Sequence, residues 1–136
     1  MQAIVAVSRS WGIGKDGQLL FHISADLQRF KALTTGHTVV MGRKTLQSLP
    51  GGRGLPNRRS LVLTRQESFT PERAETVHSL AELLALAGDG AFVIGGQEVY
   101  EQLLPYCTRA YVTKVFADVP ADAFFPNLDE DPLWRA

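Results

Sequence analysis

A chain of 136 residues has room for one core and not for a second domain. Its fourteen basic and fourteen acidic residues cancel, so nucleic acid and an anionic membrane are not its expected partners, and an anionic ligand must be held by a few local charges. The single cysteine, Cys107, excludes an internal disulfide and suits a reducing compartment; no thiolate-stabilising motif surrounds it, so it reads as a small apolar side chain rather than a nucleophile. No apolar run has the length of a membrane span, and the first residues lack the basic-then-apolar pattern of a signal peptide, which makes a soluble cytoplasmic protein the expectation.

In chain order, the apolar, β-branched run Ala3–Val7 predicts a first strand. Residues 10–22 follow, glycine-punctuated and without a period. A loop that long in a compact domain is usually a lid or binding loop, and Trp11, Ile13, Leu19, Leu20 and Phe21 within it need cover. Ser24 is the predicted N-cap of a helix over Ala25–Leu33, with Asp26 in its first turn. Strands are predicted at Thr38–Met41, Ser60–Leu63, Ala91–Ile94 and Ala110–Val115, and helices at Arg43–Ser48, Leu80–Ala87 and Gln97–Leu104. Ser79 and Glu82 offer a capping box to the third helix, and Pro105 stops the fourth. Strands alternating with helices predict an α/β fold with a largely parallel central sheet and helices on both faces.

Three predicted strand ends carry anion-binding chemistry. Ile94-Gly95-Gly96-Gln97 runs from a strand through two glycines into a helix, where backbone can approach a diphosphate closely; alone, an ordinary strand-to-helix turn is the better explanation. Gly42-Arg43-Lys44-Thr45 puts two cations in a first helical turn, where the dipole disfavours them unless an anion sits between; a solvated basic turn is the equal alternative. Leu63-Thr64-Arg65 ends a strand with a hydroxyl and a guanidinium, the groups that hold a phosphate monoester, which would select NADPH over NADH. Ligands of open α/β sheets lie beyond the carboxyl ends of the strands, where all three fall.

Asp26 either complements its helix dipole or, if it lines an apolar cleft, pairs with an amidine-like N–H/NH₂ edge such as a pterin offers; burial would then raise its pKa. One of Arg58 and Arg59 can grip a carboxylate in bidentate fashion, and at least one of the two is expected to face solvent. His22, His37 and His78 lack metal-ligand spacing, and no metal is expected.

Taken together and in order, Ala3–Val7, Gly12-Ile13-Gly14, Ser24-Ala25-Asp26-Leu27 with Phe30-Lys31, Met41-Gly42-Arg43-Lys44-Thr45, Leu55-Pro56-Asn57-Arg58, Ile94-Gly95-Gly96 with Val99-Tyr100, and Phe125-Pro126 resemble bacterial dihydrofolate reductase over nearly the whole chain. The resemblance implies a hydride passed from NADPH to C6 of dihydrofolate and a proton delivered to N5. It makes Asp26 the acid that binds the pterin edge, with Thr113 in its network and Phe21 in the lid beside it. Arg58 would hold the glutamyl α-carboxylate, and Val5, Leu27, Phe30, Leu49 and Leu55 would line the substrate pocket. Cofactor contacts would come from Ala6, Ile13, Gly14, Gly42, Arg43, Lys44, Thr45, Leu63, Thr64, Arg65, Ile94, Gly95, Gly96, Gln97, Val99 and Tyr100. Asp122 would stabilise the closed form of the lid, and a monomer is expected.

Three departures stand out. Leu20-Phe21 replaces the Pro-Trp of most bacterial relatives; phenylalanine has no indole N–H, which predicts altered pH dependence or a lower rate. His22 replaces an asparagine or similar residue. The family continues past Asp131-Pro132-Leu133-Trp134 into an antiparallel hairpin, so a longer protein that supplies it is the expectation, with a naturally short form that covers the sheet edge otherwise as the alternative. Two rivals remain: the pyrimidine reductase of riboflavin biosynthesis, whose substrate gives Arg58 no carboxylate, and a non-catalytic relative that binds NADPH or folate.

Overall fold

The computed structural model describes residues 1–136. Its frame is a six-stranded, wholly parallel sheet made of β1 (Gln2–Val7), β4 (Thr38–Gly42), β5 (Arg59–Leu63), β6 (Glu75–Val77), β7 (Phe92–Gly95) and β8 (Arg109–Lys114), in the order β6-β5-β4-β7-β1-β8. All five predicted strands are present. The addition is β6, three residues long, which pairs with β5 from Leu61↔Glu75 to Leu63↔Val77.

Alternation along the strands builds two apolar layers. Ala3, Val5, Val7, Val40, Leu61 and Val93 face α3 (Leu80–Ala87) and α4 (Gln97–Leu103), burying Leu83, Val99 and Leu103. Val39, Met41, Val62 and Phe92 point the other way, toward α2 (Arg43–Ser48) through Leu46 and α1 (Ser24–Thr34) through Leu33. Helices thus cover both faces, as the strand–helix alternation predicts.

Local signals hold with two corrections. The Ser79 hydroxyl accepts the Glu82 N–H, capping α3, and the Glu82 carboxylate returns to the N–H of His78 instead of that of Ser79. Ser24 does not cap α1: the helix starts one residue earlier, Ile23 takes the N-cap position, and no side chain caps it. The fourth helix tightens into a 3₁₀ turn over Leu104–Tyr106, which carries Pro105.

The predicted loop over residues 10–22 contains a hairpin. β2 (Gly12–Lys15) and β3 (Gln18–Leu19) are antiparallel and joined by Asp16-Gly17, both at positive φ (52° and 76°). A short strand from the far end of the chain, β9 (Ala123–Phe124), pairs with β2 and completes a small sheet in the order β3-β2-β9. Phe125, only 1% exposed, anchors this sheet: it stacks on Trp11 and meets Tyr100 edge-on. β8 is the outermost strand of the main sheet, and Leu128 and Trp134 pack against the core nearby. Cys107 is half-buried against the same core, and desolvation pushes its thiol up, away from nucleophilic character. No helix is long and apolar enough to cross a membrane.

Candidate active site

Parallel strands bring their carboxyl ends to one edge of the sheet. Gly42 pairs with Leu63, and Met41 with Gly95, so the three predicted anion-binding segments lie side by side there. Gly95 has φ +135°, a region side chains avoid, and the Gly95–Gly96 peptide is cis. A Cβ on Gly95 would lie 3.3 Å from the Thr45 hydroxyl, and one on Gly96 3.6 Å from it. The glycine pair and Thr45 therefore bound a cradle that side chains would fill.

Around it stand cations without anions. The chain forms four ion pairs, and none includes Arg43, Lys44 or Arg65; Arg43 donates only to Gln47. The Thr64 hydroxyl accepts the N–H of Gln66, and its carbonyl meets Nδ1 of His78 at 2.9 Å, which shapes the turn that presents Arg65. Unpaired basic side chains, the Thr45 hydroxyl and a glycine cradle on one edge suit a phosphorylated dinucleotide.

The second half of the site is α1. Thr34 is its only buried residue; Leu27 is 46% exposed and Phe30 half-buried, so the body of the chain leaves an apolar helix face uncovered. Leu49 and Leu55 are likewise half-buried. Residues of the second apolar layer, including Ile94, lie on the α1 side of the sheet. At the start of the helix, half-buried Asp26 accepts a hydrogen bond from Thr113 Oγ1, at 2.5 Å from Oδ1. β8 pairs with β1 at Ala6↔Thr113, which puts this hydroxyl at the sheet edge beside Ala6. Oδ2 of Asp26 has no protein partner.

At the far end of α1, Arg58 donates through Nη1 to Thr34 Oγ1 (3.2 Å) and through Nε to the carbonyl of Pro56 (3.0 Å). It has no carboxylate partner, and desolvation lowers its pKa. Arg59, by contrast, is exposed and forms a bidentate pair with Glu75 at 2.6 and 3.0 Å. The choice left open between the two arginines is thereby resolved: Arg58 is the free guanidinium. Thr34, which orients it, went unnoticed in the sequence, where a threonine in a last helical turn carries no signal. Eight residues separate Asp26 from Thr34, which is roughly 12 Å along a helix axis.

The remaining residues of the expected site differ in burial and in partners. Val5, Ile13, Val99 and Tyr100 are core residues, at most 9% exposed. The Tyr100 hydroxyl donates to the carbonyl of Ile4, and burial pushes its pKa far up, so the phenol stays neutral. The Gln97 side chain is engaged by Glu101 and Phe124. Phe21 is half-buried in the segment joining β3 to α1, and Gly14 lies in β2. Asp122 ties the end of the chain to the β2–β3 hairpin: its carboxylate accepts the N–H of Asp16 at the turn (3.0 Å), and its own N–H donates to the carbonyl of Gly14.

Comparison with known proteins agrees with this geometry. The family model for dihydrofolate reductase matches residues 1–136. The dihydrofolate reductase of Mycobacterium tuberculosis is 45% identical over 136 residues, covering 97% of this chain and 82% of that protein. That of Bacillus subtilis is 40% identical over 129 residues, 93% of this chain and 76% of the relative. Among solved structures, Enterococcus faecalis dihydrofolate reductase, complexed with NADP(H) and RAB-propyl, superposes with a TM-score of 0.85 at 39% identity, over 94% of this chain and 77% of that one. Sequence and topology thus converge: the chain belongs to the dihydrofolate reductase family.

Proposed function

We infer that this chain catalyses NADPH-dependent reduction of 7,8-dihydrofolate to 5,6,7,8-tetrahydrofolate. The observation that carries the reading is α1 itself: a carboxylate with a free oxygen at one end, an unpaired guanidinium at the other, and an uncovered apolar face between them. A ligand that is a hydrogen-bonding fused ring at one end, an apolar arm in the middle and a carboxylate at the other matches it group by group.

In this proposal Asp26 receives the N3 and 2-amino edge of the pterin, oriented by Thr113, and promotes protonation at N5. Leu27, Phe30, Leu49 and Leu55 pack against the ring and aminobenzoyl arm, and Arg58 grips the α-carboxylate. Arg43, Lys44 and Thr45 take cofactor phosphates, Thr64 and Arg65 the 2′-phosphate, and Gly95 and Gly96 lie under the diphosphate. Bound NADPH supplies the hydride. Ala6, Ile13, Gly14 and Phe21 border the nicotinamide region, where the β2–β3 hairpin excludes water and holds the two rings in register. Activity as a cytoplasmic, single-domain monomer completes the proposal; light scattering of the purified chain checks the last point.

The test is NADPH oxidation with dihydrofolate against the pyrimidine substrate of riboflavin biosynthesis. Turnover of dihydrofolate alone supports the assignment. Turnover of the pyrimidine would transfer it to the rival, and NADPH binding with no turnover of either would make the protein a binding relative.

A further inference from the structure

The side chain of Gln97 spans two elements that the proposed reaction must bring into step. Gln97 opens α4 immediately after the glycine pair. Its Oε1 accepts the N–H of Phe124 at 2.8 Å, and its Nε2 donates to Glu101 one turn later at 3.0 Å. Phe124 belongs to β9, the edge of the small sheet that carries the β2–β3 hairpin. The N–H groups of Asp122 and Phe125 turn inward, to the carbonyls of Gly14 and Trp11. That of Phe124 turns outward, where no strand lies to receive it. An outward edge donor must be met by water or by a side chain, and here a single amide meets it. Glu101 holds that amide so that its oxygen, not its nitrogen, faces the strand.

We propose that Gln97 is a positioning residue that couples occupation of the Gly95–Gly96 cradle to the placement of the lid hairpin, through Phe124 and β9. The proposal rests on the functional reading above, since the cradle must receive the cofactor for the coupling to matter. The chain of contacts is short and covalently continuous at its start. Gly96 and Gln97 are adjacent, so a ligand pressed against the glycine pair fixes the backbone from which the amide projects. Phe124 pairs with Gly12, and Ala123 with Gly14, so β9 passes that placement directly to the hairpin strand β2. Asp122, two residues earlier, holds the hairpin turn at Asp16. The link from cofactor cradle to lid thus needs one side chain and one strand. Neither Gln97 nor Phe124 reaches the reacting atoms in this account. Their effect is on how often the hairpin is in place when both rings are bound.

Amide hydrogen exchange with and without NADPH, combined with steady-state kinetics, tests this in the full chain. The informative variants are Gln97→Met, which keeps length but has no acceptor, and Glu101→Ala, which leaves the acceptor in place. In the parent, NADPH is expected to slow exchange at Phe124 and across Gly12–Lys15. In Gln97→Met, NADPH still binds but this slowing is lost. The variant's kcat falls several-fold while KM for dihydrofolate stays within about twofold, at an unchanged folded fraction. Glu101→Ala is expected to keep most of the protection and at least half the parental kcat. Unchanged protection and kcat in Gln97→Met would overturn the proposal, as would a parent that binds NADPH without slowing exchange in β2. A parent that binds no NADPH would instead remove the functional reading on which it stands. Thermal melts that match the parent establish that each variant is folded.

Discussion

Thr113 and Asp26 lie 87 positions apart and meet through one 2.5 Å hydrogen bond between the outermost strand of the main sheet and the first turn of α1. The hydroxyl donates to Oδ1 and fixes the plane of the carboxyl group, leaving Oδ2 for a ligand. The contact exists because β8 runs parallel to β1 in a register that sets Thr113 beside Ala6, at the strand end nearest the helix.

Thr113→Val keeps the shape and deletes the donor. A hydrogen bond to a charged group contributes ~1.5–3 kcal/mol, and partial exposure here points to the lower end. The expected result is a fall of roughly tenfold in kcat/KM for dihydrofolate with KM for NADPH unchanged, read from initial rates.

Arg58→Lys retains charge and loses the planar fork. KM for dihydrofolate should rise by roughly tenfold while kcat changes by less than about twofold, because the contact is equally strong in ground and transition states. A pterin substrate without the glutamyl tail supplies the control: the parent and the variant should reduce it alike.

Glu75→Gln separates the paired arginine from the free one. Arg59 holds the Glu75 carboxyl below its ordinary value, mainly through the hydrogen bond between them. A depressed folded-state pKa means that the unfolded chain binds more protons over that window. The pair's contribution is therefore present above the ordinary carboxylate value and disappears as pH falls through the folded one. Both side chains are well exposed, so the effect is small and weakened by salt. Urea midpoints should show a slight loss in the variant at neutral pH and none in strong acid, with activity untouched.

Phe125→Ala empties the contact between the small sheet and the main core, since Phe125 lies 6.2 Å from Trp11 and 4.7 Å from Tyr100 between ring centroids. Loss of a fully buried aromatic costs about 3–5 kcal/mol. Urea denaturation should show that loss, and the hairpin should lose exchange protection before the parallel sheet does.

What the sequence made legible follows from how local each signal is. The five longer strands and four helices announce themselves by continuous β-branched runs, glycine ends and the Ser79 cap, all short-range. β6 and β9 are three and two residues long and depend on partners well separated along the chain, and β3 is a two-residue strand, so no apolar run marks them. The exception is the hairpin turn, whose Asp16-Gly17 pair is a recognisable turn signal within an otherwise aperiodic stretch. Of the site, Asp26 and the cation-bearing strand ends were legible because their residue types are unusual where they stand. Residue types alone left Arg58 and Arg59 equivalent and only the resemblance chose Arg58, because the difference turns on Glu75 arriving beside Arg59 by the pairing of β5 with β6. The role of Thr34 was not legible, nor was the use of the Gln97 side chain to hold a strand.

The most direct measurement is the rate of NADPH oxidation with dihydrofolate for the parent and Asp26→Asn across a range of pH. The amide keeps size and one accepting oxygen but cannot carry the charge or promote protonation at N5. General acid–base assistance is worth about 10²–10⁴-fold, so the variant should lose at least about a hundredfold at neutral pH. It should recover part of that at acid pH, where more of the substrate arrives already protonated, and NADPH binding should be unchanged. Retention of the parental rate by Asp26→Asn at neutral pH would contradict the account.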